Sequence, residues 1–483
     1  LMLAAGDALR LNATAEAIIH YERALPVALV QPAAEELLVQ LYISRGRALE
    51  LQSRFAEADA SYQELERLGL ERNDRRLELA GLVAQGKLRS NVTPLFDAAA
   101  GRALMERALT LAEALGDEPA EVRILWNLLN ADRFDFNQSN RAVANGERAL
   151  AIARETELTE ETAYLLNDLG QLYGTLGQLE RARALLGEAQ AYWQTLDNQP
   201  MLADSLSGYA VWTAISGDLP AALASTEAAL EVATRIGNVW GQAFANGTRG
   251  LTLGYLGRFG DGIASLRLAI EEARQSGFVG GQMLGRTFLA TILQELGRPD
   301  EVAELARAGL EIGRAQLPQF AAMCLGRLAI ALLSQGKLEE AATVLADPLA
   351  NLERQLMYAE FDVYTARLEY ALATGDHSAA LDLAETTAAH WSERGARLWL
   401  PAIEMYRARA LLGLGRAAEA RDQLRDTVAL ARAVGARGML WRCLALAAAV
   451  AAQLGDEAAA AALREGARGD RHFVLDNTRP AAL

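Results

Sequence analysis

The sequence predicts an all-α solenoid of about twelve stacked helical hairpins. Three observations predict it. Eight glycines (Gly177, Gly217, Gly257, Gly297, Gly336, Gly375, Gly415 and Gly455) recur at steps of 40, 40, 40, 39, 39, 40 and 40 residues. The register runs upstream through Asn137, Phe96, Ser53 and Asn12, at steps of 40, 41, 43 and 41. Small residues hold fixed distances from this slot on both sides. A period of this length marks a repeat array rather than one or several compact domains.

The slot itself is a turn. Glycine accepts the left-handed backbone that ends a helix. Five residues later a small side chain recurs, as at Ala182, Ala222, Gly262, Ala341 and Ala380, with Val302 the exception. Seven residues before the slot stand Gly46, Gly170, Ala210, Gly250 and Ala290. Small residues at these points let two helix backbones approach closely, and larger apolar residues around them fill the grooves. One unit runs from Leu166 to Tyr192. Leu166, Leu169, Leu172, Tyr173 and Leu176 keep helical spacing before the turn, and Leu179, Ala182, Leu185, Leu186 and Ala189 keep it after. Such a hairpin is marginal alone and gains its stability by stacking.

Prolines fit this scheme. Pro220 and Pro299 fall in the first turn of second helices, where a missing N–H costs little. Pro348 falls midway along a second helix and should kink or split it. The stretch 69–96 is the least regular, with Arg89 where a small residue is expected. The solenoid is expected over 1–462, with a polar capping segment over 463–483.

Leu169, Gly170, Tyr173, Gly177, Ala182 and Ala189, with Trp126 at the aromatic first position, resemble the tetratricopeptide (TPR) consensus. That resemblance implies a right-handed superhelix. The repeat departs from the consensus in its length of about 40 residues and in lacking the closing proline. Long second helices ending in Ala149–Arg154 or Val428–Arg432 are similar to the TPR halves of large bacterial ATPase-coupled regulators, of maltose-activator and nucleotide-cyclase type. The opening Ala4-Ala5-Gly6-Asp7-Ala8 and Glu16–Leu25 resemble the junction where the ATPase module of such proteins meets its repeats. The closing Arg471–Leu475 and Pro480–Leu483 resemble their last segment. An upstream output domain, carrying ATPase, cyclase or DNA-binding activity, is therefore expected.

Composition narrows the function classes. A net charge of −15 argues against nucleic-acid binding by this segment, since phosphates demand a basic face. No apolar run has membrane-spanning length. Cys324 and Cys443 stand far apart on predicted first helices and read as buried free thiols of a cytoplasmic protein. There is no Gly-x-x-x-x-Gly-Lys-Ser/Thr phosphate loop. The glycine clusters 257–262 and 277–281 sit on turns without a preceding strand. His20, His377, His390 and His472 do not converge at metal-ligand spacing. Trp193 and Trp391 share one slot and read as packing between repeats. No catalytic residue, cofactor or metal is expected.

The TPR resemblance places first helices on a concave inner face, at slots ten and six positions before each turn. From these slots come the candidate binding residues Asn127, Asn167, Gln171, Ser207, Leu251, Thr287, Thr291, Thr365, Glu369 and Arg409. The basic set of the chaperone-tail clamp is missing there. Small side chains leave room, and amides and hydroxyls can satisfy a peptide backbone. The expected function is a non-catalytic binding module for a protein, a peptide or a small effector, within a bacterial signalling or transcription regulator. The alternatives are a free-standing scaffold and, third, an enzyme on a helical array.

Overall fold

The computed structural model describes residues 4–5, 14–31, 35–90, 95, 97–133, 136–351 and 357–478. Asn12 and Phe96 of the turn register, most of the opening segment 1–13 and the closing Pro480–Leu483 lie outside them. Among the described residues every regular element is helical, and 23 α-helices follow one another in antiparallel hairpins. The chain forms two compact units, 1–165 and 166–483.

The first unit holds α1 (Thr14–Leu29), α2 (Glu35–Leu51), α3 (Phe55–Arg72), α4 (Arg75–Ser90), α5 (Ala98–Leu115), α6 (Glu118–Asp132) and α7 (Ser139–Glu155). Helix α8 (Thr159–Thr175) contains the boundary. The second unit continues with α9 (Leu179–Thr195), α10 (Gln199–Ile215), α11 (Leu219–Arg235), α12 (Val239–Tyr255), α13 (Phe259–Gln275) and α14 (Val279–Glu295). It proceeds through α15 (Pro299–Gln316), α16 (Ala321–Ser334), α17 (Leu338–Leu345) and α18 (Met357–Ala373). It ends with α19 (His377–Glu393), α20 (Leu400–Gly413), α21 (Ala417–Ala433), α22 (Arg437–Gln453) and α23 (Glu457–Asp476).

Most of these helices have 17 residues, and three-residue turns separate them. The turn at Gly217 shows why. Gly217 has φ 98°. Its N–H donates to the Ala214 carbonyl at 2.9 Å, and the Asp218 N–H donates to the Thr213 carbonyl at 3.1 Å. This Schellman pattern satisfies the last carbonyls of α10. The Asp218 side chain then accepts from the Ala221 N–H at 3.1 Å and caps α11. The turns between hairpins use the same chemistry, with Gly237, Gly277, Gly395 and Gly435 at φ 67–71°. The glycine clusters 257–262 and 277–281 therefore belong to such turns.

Close approach explains the small residues. A Cβ on Gly250 would lie 2.5 Å from Leu266 Cγ and 3.0 Å from the Gly262 carbonyl. Trp193 and Trp391 are fully buried, as are Cys324 and Cys443. Burial pushes the Cys324 thiol up to about 11 and the Cys443 thiol up to about 12. Arg89, the misfit in the small-residue register, pairs with Asp59 at 2.7 Å.

Both 39-residue steps fall where the geometry changes. Between α15 and α16 a 3-10 turn, Pro318–Phe320, replaces the glycine turn. Pro348 ends its helix early, as expected. Helix α17 stops at Leu345, and Asp347 takes the extended backbone (ψ 132°) that a following proline demands.

The second unit also closes on itself. The Leu398 N–H donates to the Ile215 carbonyl at 3.0 Å, and the Gly260 N–H to the Asn477 carbonyl at 2.6 Å. A Cβ on Gly438 would stand 2.6 Å from the Gly254 carbonyl. Helix α22 thus lies against α12 across a large stretch of sequence.

Candidate functional site

That closure creates a cavity of about 210 Å³ inside the second unit. Six first helices surround it: α12, α14, α16, α18, α20 and α22. Its apolar wall is built by Phe259, Phe288, Phe361, Ile292, Ile330 and Met405. Its polar groups come from Thr291, Gln294, Glu295, Arg327, Glu369 and Arg442, with the phenols of Tyr255 and Tyr406.

The charges alternate in sign around the site. Arg327 on α16 pairs with Asp362 on α18, with side chains 9% and 5% exposed. Arg442 on α22 donates to Glu295 on α14 at 2.8 Å, joining residues 147 apart in sequence. Arg409 on α20 grips Glu369 on α18 with two bonds, at 2.6 and 3.1 Å. The planar guanidinium makes this bidentate geometry possible.

These environments move the ionisation of each group. Burial pushes the Glu369 carboxyl up, but Arg409, Tyr406 and Arg442 together outweigh it and hold the group below its usual range. Burial pushes the Asp362 carboxyl up, and Arg327 reverses only part of that. Glu295, ahead of the opposing effect of burial, holds Arg442 firmly protonated. Burial raises the Tyr255 phenol to about 12 and moves that of Tyr406 further in the same direction. The site is thus a set of groups held in ion pairs. Among the described residues, no group of three or more His, Cys, Asp or Glu side chains is arranged to hold a metal ion.

The candidate binding residues separate into three sets. Leu251, Thr291, Thr365 and Glu369 line the cavity together, and Arg409 stands directly behind Glu369. Asn167, Gln171, Ser207 and Thr287 are placed between helices. Asn167 bonds Asp204 at 2.9 Å and accepts from Ser205 at 2.6 Å. Gln171 accepts from the Trp212 indole at 3.3 Å. Ser207 is fully buried, and Thr287 bonds the Met283 carbonyl of its own helix at 3.1 Å. Asn127, in the first unit, is half-buried and bonds the Arg123 carbonyl at 2.8 Å.

Fixed-slot reasoning missed Glu295, Arg327, Tyr406 and Arg442. The reason is geometric. Tyr255, Ile292, Ile330, Thr365, Ala402 and Met439 line the cavity, one from each first helix. Their steps are 37, 38, 35, 37 and 37 residues, short of the fold's 40. The lining position therefore slides toward the N-terminus of each successive first helix. A shared slot cannot follow it. The signal that was available is Arg327 as the single charged residue of α16, with Glu295 and Arg442 as charged residues on two further, mainly apolar first helices.

Helical hairpins of this length, stacked through small residues and closed by glycine turns, define a TPR-type helical-repeat array. No protein-family model and no curated protein matches the chain. Among solved structures it is similar to the Cut9–Hcn1 hetero-tetramer of the APC/C, with a TM-score of 0.59 and 12% identity over 96% of this chain and 85% of that one. It is also similar to a Rap protein complexed with competence and sporulation factor, with a TM-score of 0.51 and 13% identity over 74% and 99% of the two chains. BtubC from P. vanneervenii reaches 22% identity over 48% of this chain and 92% of that one, at a TM-score of 0.40. Likeness at these identities establishes the fold alone.

Proposed function

We propose that the chain is a binding module, the non-catalytic sensor part of a signalling or transcription regulator, and that its effector site is the cavity of the second unit. One observation carries this reading. Six successive first helices meet around a cavity that carries both charged and apolar walls. Such a cavity suits a small molecule, and a ligand that prefers the closed second unit would bias whatever state an attached output domain reads. The polar groups of the site are engaged in ion pairs with one another, which favours binding over catalysis.

The test is thermal melting of the chain against a metabolite panel. A ligand present at about a hundred times its Kd stabilises the native state by about 2.7 kcal/mol. The expected result is a compound that stabilises the native chain and has no effect on a cavity-filled Thr291→Trp variant. The reading falls if every stabilising compound acts equally on both.

A second reading, a scaffold for a protein partner, draws on the neighbours. One is complexed with competence and sporulation factor, and the other belongs to the Cut9–Hcn1 hetero-tetramer. It predicts partner capture that the Thr291→Trp substitution leaves unchanged.

A further inference from the structure

The lining of the cavity narrows the chemistry of its occupant. Two carboxylates, Glu295 and Glu369, and two guanidinium groups, Arg327 and Arg442, belong to the wall. With Asp362 and Arg409 behind them, the six charges balance as three of each sign. A ligand with a net charge would enter a site whose charges are already matched, and nothing would compensate its own desolvation. A purely apolar ligand fits no better. Three polar atoms on lining side chains are buried without a hydrogen-bond partner: the Glu295 Oε2, the Gln294 Oε1 and the Arg327 Nε. Leaving such atoms unmatched is costly.

Two of these atoms are acceptors on adjacent residues of α14, and the third is a donor on α16. All three side chains belong to the cavity wall. The acceptors suit an ammonium group, which carries several N–H donors. The guanidinium suits a carboxylate. The remaining wall, with Phe288, Phe361, Ile330 and Met405, suits an apolar body. The cavity volume of about 210 Å³ exceeds the ~150 Å³ that accommodates a benzene ring in a protein core.

We propose that the cavity binds a small zwitterion, a free α-amino acid with an apolar side chain, with its ammonium on Glu295 and Gln294 and its carboxylate on Arg327. This assignment rests on the effector reading above and deepens it. No bond is made or broken.

The experiment is isothermal titration of the whole chain with L-phenylalanine, L-leucine and L-methionine. Each is compared with the amine that lacks its carboxylate and the acid that lacks its ammonium. The expected result is saturable binding of at least one amino acid. Both truncated analogues should bind about tenfold weaker or worse, the loss of one charge-assisted hydrogen bond. Glu295→Gln and, independently, Gln294→Leu should weaken the amino acid and its amine while leaving the acid unchanged. The second variant keeps the Arg442 ion pair intact and so guards against a folding defect. Glu271→Gln, at an exposed carboxylate paired with Arg274, is the control and should change nothing. Equal binding of amino acid, amine and acid overturns the assignment. So does binding of neutral alcohols through Thr291 in the absence of amino-acid binding, an outcome that leaves the effector cavity standing. If none of these compounds binds, the amino-acid assignment falls, and the effector reading is decided separately by the melting panel against the Thr291→Trp variant.

Discussion

The two units are built from the same hairpin, yet the described bonds of the second span far more sequence. In residues 1–165 the long bonds join neighbouring repeats. Arg72 donates to the Leu29 carbonyl at 2.8 Å, and Arg107 pairs with Glu66 at 2.9 Å. Turns there use Ser53 at φ 59° and Asn73 at φ 54° beside Gly116 at φ 63°. In residues 166–483 bonds also join repeats distant in sequence, as between Arg442 and Glu295 or Leu398 and Ile215. The difference shows that the repeat register builds a stack, and that further contacts decide whether the stack becomes a container. A linear array has stability that sums over neighbours. A closed unit adds terms that no neighbour pair contains.

The strongest way to break the comparison is at a buried ion pair of the second unit. Replacing Arg327 with Ala strands Asp362, and removal of one partner of such a pair costs about 3–5 kcal/mol. Urea unfolding should show this loss. The loss should shrink in acid. Burial raises the Asp362 carboxyl, so the folded state holds the proton more tightly than the unfolded state. Stability from that proton is present at low pH and is lost as pH rises through the unfolded and then the folded value. A pH-independent loss would contradict this origin.

Next comes the closure itself. Gly438→Leu drives a side chain into the Gly254 backbone, which cannot step aside cheaply. A cost of about 1–3 kcal/mol is expected, together with an increase in the radius of gyration by small-angle scattering. Unchanged dimensions would mean that the second unit does not depend on this contact.

Caps should not distinguish the units, because a cap is local. Asp97 caps α5 in the first unit, and Asp218 caps α11 in the second. Each Asp→Ala change should cost about 1 kcal/mol in denaturant titrations. A much larger loss at Asp218 would show that the second unit couples its turns to its closure. The smallest effect has the opposite sign. Gly187 lies within α9, and a Cβ there meets nothing within 4 Å. Gly187→Ala should stabilise the chain by about 0.5–1 kcal/mol, read as a raised melting temperature.

Much of the fold was legible because turn chemistry is local. Gly217 and Asp218 carry both the end of one helix and the start of the next within two residues. Pro348 announces the split in its helix for the same reason. The site was legible only in part. Slots read at a fixed offset reach Leu251, Thr291, Thr365 and Glu369, which do converge. They also reach Asn167 and Gln171, which serve the seams between helices. Nothing local to Glu295 or Arg442 announces that they meet, since their contact depends on the accumulated rotation of every hairpin between them.

The mismatch between the 40-residue period of the fold and the shorter steps of the lining has an evolutionary consequence. Three residues of helix span about 4.5 Å, close to one turn. Duplicating or deleting a whole hairpin among those that surround the cavity would keep the same kind of seam between neighbours. It would also slide the helices past the cavity by roughly that distance, exchanging which turn of each helix looks inward. A lineage built on this plan can therefore acquire a new ligand preference by changing how many hairpins it has, with no change in the chemistry of any one of them.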